Sequence, residues 1–159
     1  MSILNDNWLK PSEILVPKDS LLVLVKTSWN ADITDRLQAG CIRILDQFSL
    51  KYRTVEVPGA FEIPFAIRKI WEQAEMGKPV AFIALGCVIK GDTPHFDYVC
   101  RAVTDGVLQL NLTLPVPVIF GVLTVDNPRQ AEERVGGAHG HKGEEAALSA
   151  LKLLSALSR

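Results

Sequence analysis

Four stretches of the chain are apolar at successive or alternate positions, and each is followed by apolar residues at helical spacing. Leu21-Leu-Val-Leu-Val25 is apolar throughout and rich in β-prone residues, the pattern of a strand buried on both faces. After it, Ile33, Leu37, Cys41, Ile44, Leu45 and Phe48 predict a helix, with Asn30 as its side-chain cap. Tyr52 to Val57 alternates and stops at Pro58-Gly59, a turn signal. Phe61, Phe65, Ile67, Ile70 and Trp71 predict a second helix ending near Gly77, with Glu62 and Pro64 in its first turn, where both are tolerated.

The third strand, Val80 to Leu85, runs into Gly86-Cys-Val-Ile-Lys-Gly91-Asp-Thr-Pro-His95. Phe96, Val99, Cys100, Val103, Val107, Leu108 and Leu110 then predict a helix reaching about Leu112, with Thr93 as N-cap and Pro94 at the first helical position. The fourth apolar run, Val116 to Leu123, starts among Pro115 and Pro117 and precedes Asp126-Asn-Pro128, a helix-start signal with Gln130 to Arg134 as its short turn of helix. Gly136 to Gly143 reads as a flexible loop, and Glu144 to Leu157 as an amphipathic helix through Ala147, Leu148, Leu151, Leu154 and Leu157.

Strands alternating with helices through short turns predict an α/β fold, a doubly wound three-layer sandwich around a parallel sheet. Residues 21–159 form its single domain. Residues 1–20 are set apart as an arm, because Pro11 and Pro17 leave only Ile14-Leu-Val16 as a short strand. Such a strand suits the sheet edge of a neighbouring subunit.

Composition narrows this without redirecting it. The 159 residues are 48% hydrophobic and 22% charged, an ordinary balance for one folded domain. A net charge of −1 carries no electrostatic footprint for nucleic acid or an anionic membrane. The chain has no apolar run of membrane-spanning length and no basic-then-apolar start, so the expected location is the cytoplasm. Cys41, Cys87 and Cys100 fall in apolar strand or helix patterns, which predicts buried, reduced thiols.

Ligands of such folds bind at the carboxyl ends of the strands, where helix starts offer free N–H groups to anions. Topology therefore directs Trp29, Phe61, Glu62, His95 and Asp126 toward one edge. Trp29 can stack a flat ring, and a first-turn histidine can take or give a proton near neutral pH. Each has a plainer role as rim aromatic, helix-start acid or surface histidine. The chain lacks a P-loop, a GxGxxG after a strand, and a GxSxG elbow, which disfavours nucleoside-triphosphate and dinucleotide binding and serine hydrolysis. His139 and His141 lack the spacing of a zinc element and read as solvated. Arg134 and Lys142 flank the glycine loop and are the best-placed cations for an anion, Arg by a two-pronged grip and Lys as a point charge.

Four signals stand in order: Ser28-Trp29-Asn30, Val57-Pro-Gly-Ala-Phe-Glu-Ile-Pro64, Gly86 to Val99, and Phe120-Gly-Val-Leu-Thr124 with Gln130-Ala-Glu-Glu-Arg134. Together they make residues 20–158 resemble the 6,7-dimethyl-8-ribityllumazine synthase family. The resemblance implies a flavodoxin-like subunit with a central parallel four-stranded sheet, assembled as a pentamer or as twelve pentamers in an icosahedral shell, with association with riboflavin synthase left open. It implies the penultimate step of riboflavin biosynthesis without metal or cofactor: condensation of 5-amino-6-(D-ribitylamino)uracil with 3,4-dihydroxy-2-butanone 4-phosphate.

Carried over by position, Trp29 matches the aromatic stacked on the pyrimidine, and Ala60, Phe61 and Glu62 the holder of the ribityl chain. Cys87, Val88 and Ile89 match the main-chain segment reading the pyrimidine, with the Cys87 side chain uninvolved. Asp92 and Thr93 match the turn that receives phosphate, and His95 the proton-transferring histidine. Phe120 matches an apolar wall from a neighbouring subunit, Arg134 the phosphate-gripping arginine, and Lys142 a further cation near the anion. Asp92 departs from the pattern, placing a carboxylate where a small neutral residue is common. Two rival readings remain: a flavin- or lumazine-binding protein without synthase activity, and a shell protein with a vestigial site.

Overall fold

Side chains alternate across a strand, so the first apolar run supplies two cores at once. In the computed structural model, which describes residues 14–158, Leu22 and Leu24 face one side of the sheet and Val23 and Val25 the other, all fully buried. The chain runs β1 (Leu21–Thr27), α1 (Ala31–Gln47), β2 (Lys51–Val57), a 3₁₀ turn (Ala60–Glu62), α2 (Ile63–Gln73), β3 (Ala81–Ile89) and α3 (His95–Thr113). It continues through β4 (Val118–Val125), α4 (Pro128–Glu132), β5 (Val135–Gly137), β6 (Gly140–His141) and α5 (Lys142–Leu157).

Strands β1 to β4 form one parallel sheet in the order β2-β1-β3-β4. Helices α1 and α5 close the Leu22–Leu24 face, through residues such as Leu37, Cys41, Ala147 and Leu151. On the other face, Ile63 and Ile67 of α2 and Val103 and Val107 of α3 pack on Val23, Val25 and Phe82. This is the expected three-layer α/β sandwich. Because β1 pairs with β2 on one side and β3 on the other, the winding reverses at the carboxyl ends of β1 and β3. Open α/β sheets bind ligands at such a reversal.

Several expectations are corrected. Gly136 to Gly143 is not a flexible loop: β5 and β6 pair in an antiparallel hairpin, Val135 with His141 and Gly137 with Gly140, and α5 starts at Lys142. His141, expected to be solvated, is buried. The second helix ends at Gln73, short of Gly77, and Cys100 is only half-buried. Ile14 to Val16 form no strand. Ile14 and Val16 pack against their own α1–α5 core, and the Leu15 N–H donates to Ser155 Oγ at 2.9 Å. The remainder of the arm, residues 1–13, lies outside the described residues.

Candidate functional site

The turn after β1 is stitched to the turn after β2. The Ser28 N–H donates to the Val57 carbonyl at 2.8 Å and the Trp29 N–H to that of Pro58 at 3.1 Å, extending the β1–β2 pairing beyond the strands. Trp29 is thereby held upright with 66% of its surface exposed. Its indole leans on Gly59, where an added Cβ would lie 2.8 Å from Trp29 Cε3. Glu62 returns from the 3₁₀ turn and accepts from the Gly59 N–H at 2.9 Å, which commits one carboxylate oxygen to holding that turn.

Asn30 does something other than the capping expected of it. Its backbone is left-handed (φ 56, ψ 46) and its side chain caps nothing. Instead Nδ2 donates to the Cys87 carbonyl at 2.9 Å. Asn tolerates left-handed geometry better than most residues. The bond joins the end of β1 to the end of β3.

Thr27, Trp29, Asn30, Ala60, Phe61, Glu62, Cys87, Val88, Ile89, His95 and Val99 surround one cleft of about 350 Å³ at the reversal between β1 and β3. Phe61 stands 64% exposed at its rim. The Cys87 thiol is buried, and burial, aided by the Asp32 charge, pushes it up to about 11. It stays protonated and is a poor nucleophile near neutral pH. The turn from Gly91 to His95 is exposed throughout. Pro94, not Thr93, occupies the cap position of α3, while the Thr93 hydroxyl lies 3.4 Å from the His95 N–H. His95 lies in the first turn of α3 at the mouth of the cleft. Asp92 is exposed and does not line the cleft.

The structure therefore brings together Trp29, Ala60, Phe61, Glu62, Cys87, Val88, Ile89 and His95. It leaves Phe120, Asp126, Arg134 and Lys142 out of that cleft. Phe120 is 42% exposed on β4, which is the outer strand on its side of the sheet. Asp126, tied through its N–H to Gln130 Oε1, does not converge as expected. Arg134 Nη1 donates to the Gln130 carbonyl at 2.8 Å, and Lys142 Nζ pairs with Glu145 at 2.7 Å. Sequence reasoning missed Thr27, Asn30 and Val99 as lining residues. The available signal was a left-hand-tolerant Asn straight after the exposed aromatic.

The cleft presents two exposed aromatics, a row of main-chain groups at the end of β3, one carboxylate and one imidazole at its mouth. Flat apolar faces with convergent polar edges suit a heteroaromatic ring carrying a polar chain, with one proton carrier beside it.

The family model for 6,7-dimethyl-8-ribityllumazine synthase matches residues 20–158. Among similar proteins, the 6,7-dimethyl-8-ribityllumazine synthase of Porphyromonas gingivalis is 48% identical over 139 residues, covering 86% of this chain and 84% of its own. The one from Parabacteroides distasonis is 44% identical over 135 residues, covering 83% and 82%. That of Xanthomonas campestris pv. campestris is 42% identical over 144 residues, covering 89% and 92%.

Proposed function

The chain belongs to the 6,7-dimethyl-8-ribityllumazine synthase family, and we propose that its active site is the cleft between the carboxyl ends of β1 and β3. The protein is a transferase of riboflavin biosynthesis that condenses 5-amino-6-(D-ribitylamino)uracil with 3,4-dihydroxy-2-butanone 4-phosphate, releasing phosphate and water. The family and its curated relatives do not favour a binding-only or purely shell-forming role.

The observation that carries the site assignment is the gathering of Trp29, Phe61, Glu62, Cys87 to Ile89 and His95 around one cleft. Trp29 stacks the pyrimidine, and the main chain of Cys87, Val88 and Ile89 reads its edge. Ala60, Phe61 and Glu62 hold the ribityl chain. Imine formation, loss of phosphate and ring closure each move a proton, and His95 carries it near neutral pH. Holding two reactants in contact does much of the remaining work, so few catalytic side chains are needed. Asp92 and Thr93 receive the phosphate on the exposed turn, where the Asp92 carboxylate is free to point to solvent, and Arg134 with Lys142 supplies the opposing charge.

Phe120, Arg134 and Lys142 lie outside the cleft of their own chain, which supports a site completed by a neighbouring subunit. A groove of about 570 Å³ between α2 and α3, with exposed Phe65 at its edge, supports the same assembly. We take the assembly to be a pentamer or a 60-subunit shell, with residues 21–159 as its domain. Riboflavin synthase is a candidate partner of that assembly. Three unpaired thiols suit a reducing compartment such as the cytoplasm.

The test mixes purified protein with both substrates and follows lumazine absorbance. Product formation slowed in His95→Ala, with little change in either KM, supports the assignment; unchanged kinetics in that variant would overturn His95 as proton carrier. Sedimentation gives the mass, and a species of pentamer size at high concentration would exclude the shell.

A further inference from the structure

Among the described residues, His141 alone has a buried side-chain nitrogen, Nδ1, with no hydrogen-bond partner. The residue is 9% exposed and sits where α1, the β5–β6 hairpin and α5 meet. The ring fits only because α1 carries a glycine beneath it. A Cβ on Gly40 would lie 2.0 Å from His141 Cε1 and 2.4 Å from Nδ1. Gly143, just after it in α5, allows a matching approach, since a Cβ there would lie 2.0 Å from the Leu37 carbonyl oxygen. Gly40 thus seats an imidazole whose Nδ1 has no partner, while Gly143 lets α5 close on the Leu37 backbone of α1.

The hairpin this ring anchors carries the two cations. Val135 pairs with His141, and the Lys142 N–H donates to the Arg134 carbonyl at 2.8 Å. Arg36 Nη2 of α1 donates to the Val135 carbonyl at 2.9 Å, locking the hairpin to the helix. The backbones of Arg134 and Lys142 are therefore fixed to each other, and their placement depends on the seat of the ring between them.

The charges that act on the ring come from the two helices. Arg36 and Arg43 approach from α1, and Glu144 from α5, with Arg43 already bonded to Glu144 at 2.6 Å. The neighbouring ionisable groups are engaged elsewhere: Arg134 is bonded to Gln130, Glu133 lies 3.7 Å from His139, and Lys142 is paired with Glu145. Burial, as the largest influence, holds the His141 imidazole below its ordinary value. Arg43 and Arg36 act in the same direction, and Glu144 and a backbone hydrogen bond within His141 act against it.

We infer that His141 is a positioning residue which, as a neutral ring seated on Gly40, holds Arg134 and Lys142 in place, and that its protonation releases the hairpin and weakens retention of the phosphate-bearing substrate. The functional half rests on the assignment of Arg134 and Lys142 to phosphate. A protonated ring would place a charge and an unpaired N–H donor in a niche beside two guanidinium groups. With the folded value below 6.5, the ring's contribution is complete above pH 6.5 and is lost as the pH falls through the folded value.

Three readouts test this in the assembled enzyme. Exchange of the His141 ring C–H, followed by mass spectrometry, gives its titration midpoint directly. The midpoint is expected below that of a free histidine, and one at or above it overturns the proposal. Amide protection of segment 134–143 should fall across that midpoint in the wild type and stay level in His141→Asn, which has no proton to gain. Protection that falls equally in both overturns it, and the wild-type midpoint serves as the test if the variant does not fold. KM for the phosphate substrate should rise about threefold to tenfold per pH unit below the midpoint, more than kcat falls. A hairpin that loosens with no change in that KM would instead overturn the phosphate role of Arg134 and Lys142.

Discussion

The side-chain amide of Asn30 donates to the main-chain carbonyl of Cys87 at 2.9 Å, so the turn leaving β1 is bolted to the end of β3. Asn30 pays for this with a left-handed backbone (φ 56), which an Asn accepts at less cost than most residues. The bond occupies the Cys87 carbonyl and fixes where the next main-chain groups, Val88 and Ile89, meet the cleft. Three strand ends, those of β1, β2 and β3, thereby act as one rigid platform beneath Trp29.

Asn30→Ala and Asn30→Gly separate the two features of that residue. Both lose the bond to Cys87, worth about 1 kcal/mol, but only Ala keeps the left-handed penalty of about 1–2 kcal/mol. Urea denaturation is expected to rank wild type above Gly and Gly above Ala. KM for the pyrimidine substrate is expected to rise in both variants. Equal stability of the two variants would show that the backbone strain is not retained.

Gly59→Ala would drive a methyl group to within 2.8 Å of Trp29 Cε3 and 3.2 Å of Glu62 Oε2. Gly59 has an extended backbone (φ −139), so the conflict is one of space and not of conformation. The indole must tilt away, raising KM for the pyrimidine while the phosphate substrate binds as before. A changed tryptophan emission that disappears in a Trp29→Phe background would locate the effect.

Arg134→Ala is expected to raise KM for the phosphate substrate about tenfold to a hundredfold, the range for losing a charge-assisted hydrogen bond. Lys at that position should recover only part of the loss, because a point charge replaces a fork. His95→Ala should act on kcat in the main. Steady-state kinetics with each substrate varied in turn distinguish the two patterns, and identical patterns would refute the division of roles.

Alkaline solution should destabilise the fold from about pH 9 upward. Burial pushes the Cys41 thiol up to about 12 and the Cys87 thiol up to about 11, from 9.0 in the unfolded chain. The folded state holds on to protons that the unfolded state releases, so stability is complete below pH 9 and declines as pH rises toward the folded values. Each thiol contributes a slope of about 1.4 kcal/mol per pH unit within its window. Denaturant midpoints measured between pH 8 and 11 are expected to fall less steeply in Cys41→Ala than in wild type, although the variant starts from a lower value.

The order of strands and helices was legible in the chain because hydrophobic period is a local property. Leu21 to Val25 and the Ile33–Leu45 series declare a buried strand and an amphipathic helix without reference to anything distant. Alternation of the two kinds implied a parallel sheet, and the general placement of ligands at strand carboxyl ends was enough to bring Trp29, Phe61, Glu62 and His95 to one cleft. The motifs around Trp29, Phe61 and His95 then pointed to the chemistry.

What tertiary structure alone decided are matters of contact between distant segments. Asn30 reads as a cap, because capping is its commonest local role, and no local signal reveals a Cys87 carbonyl brought alongside by strand pairing. Ile14 to Val16 reads as a strand, yet its apolar side chains find the α1–α5 core of their own chain. His141 reads as solvated in a glycine loop, since the space that buries it is made by Gly40 on another helix. Phe120 reads as a wall offered by a neighbouring subunit and Arg134 and Lys142 as cations for an anion, and none of the three lines the cleft of its own chain. Periodicity is encoded residue by residue along the chain. Vacant space and carbonyl partners arise only once the layers have closed.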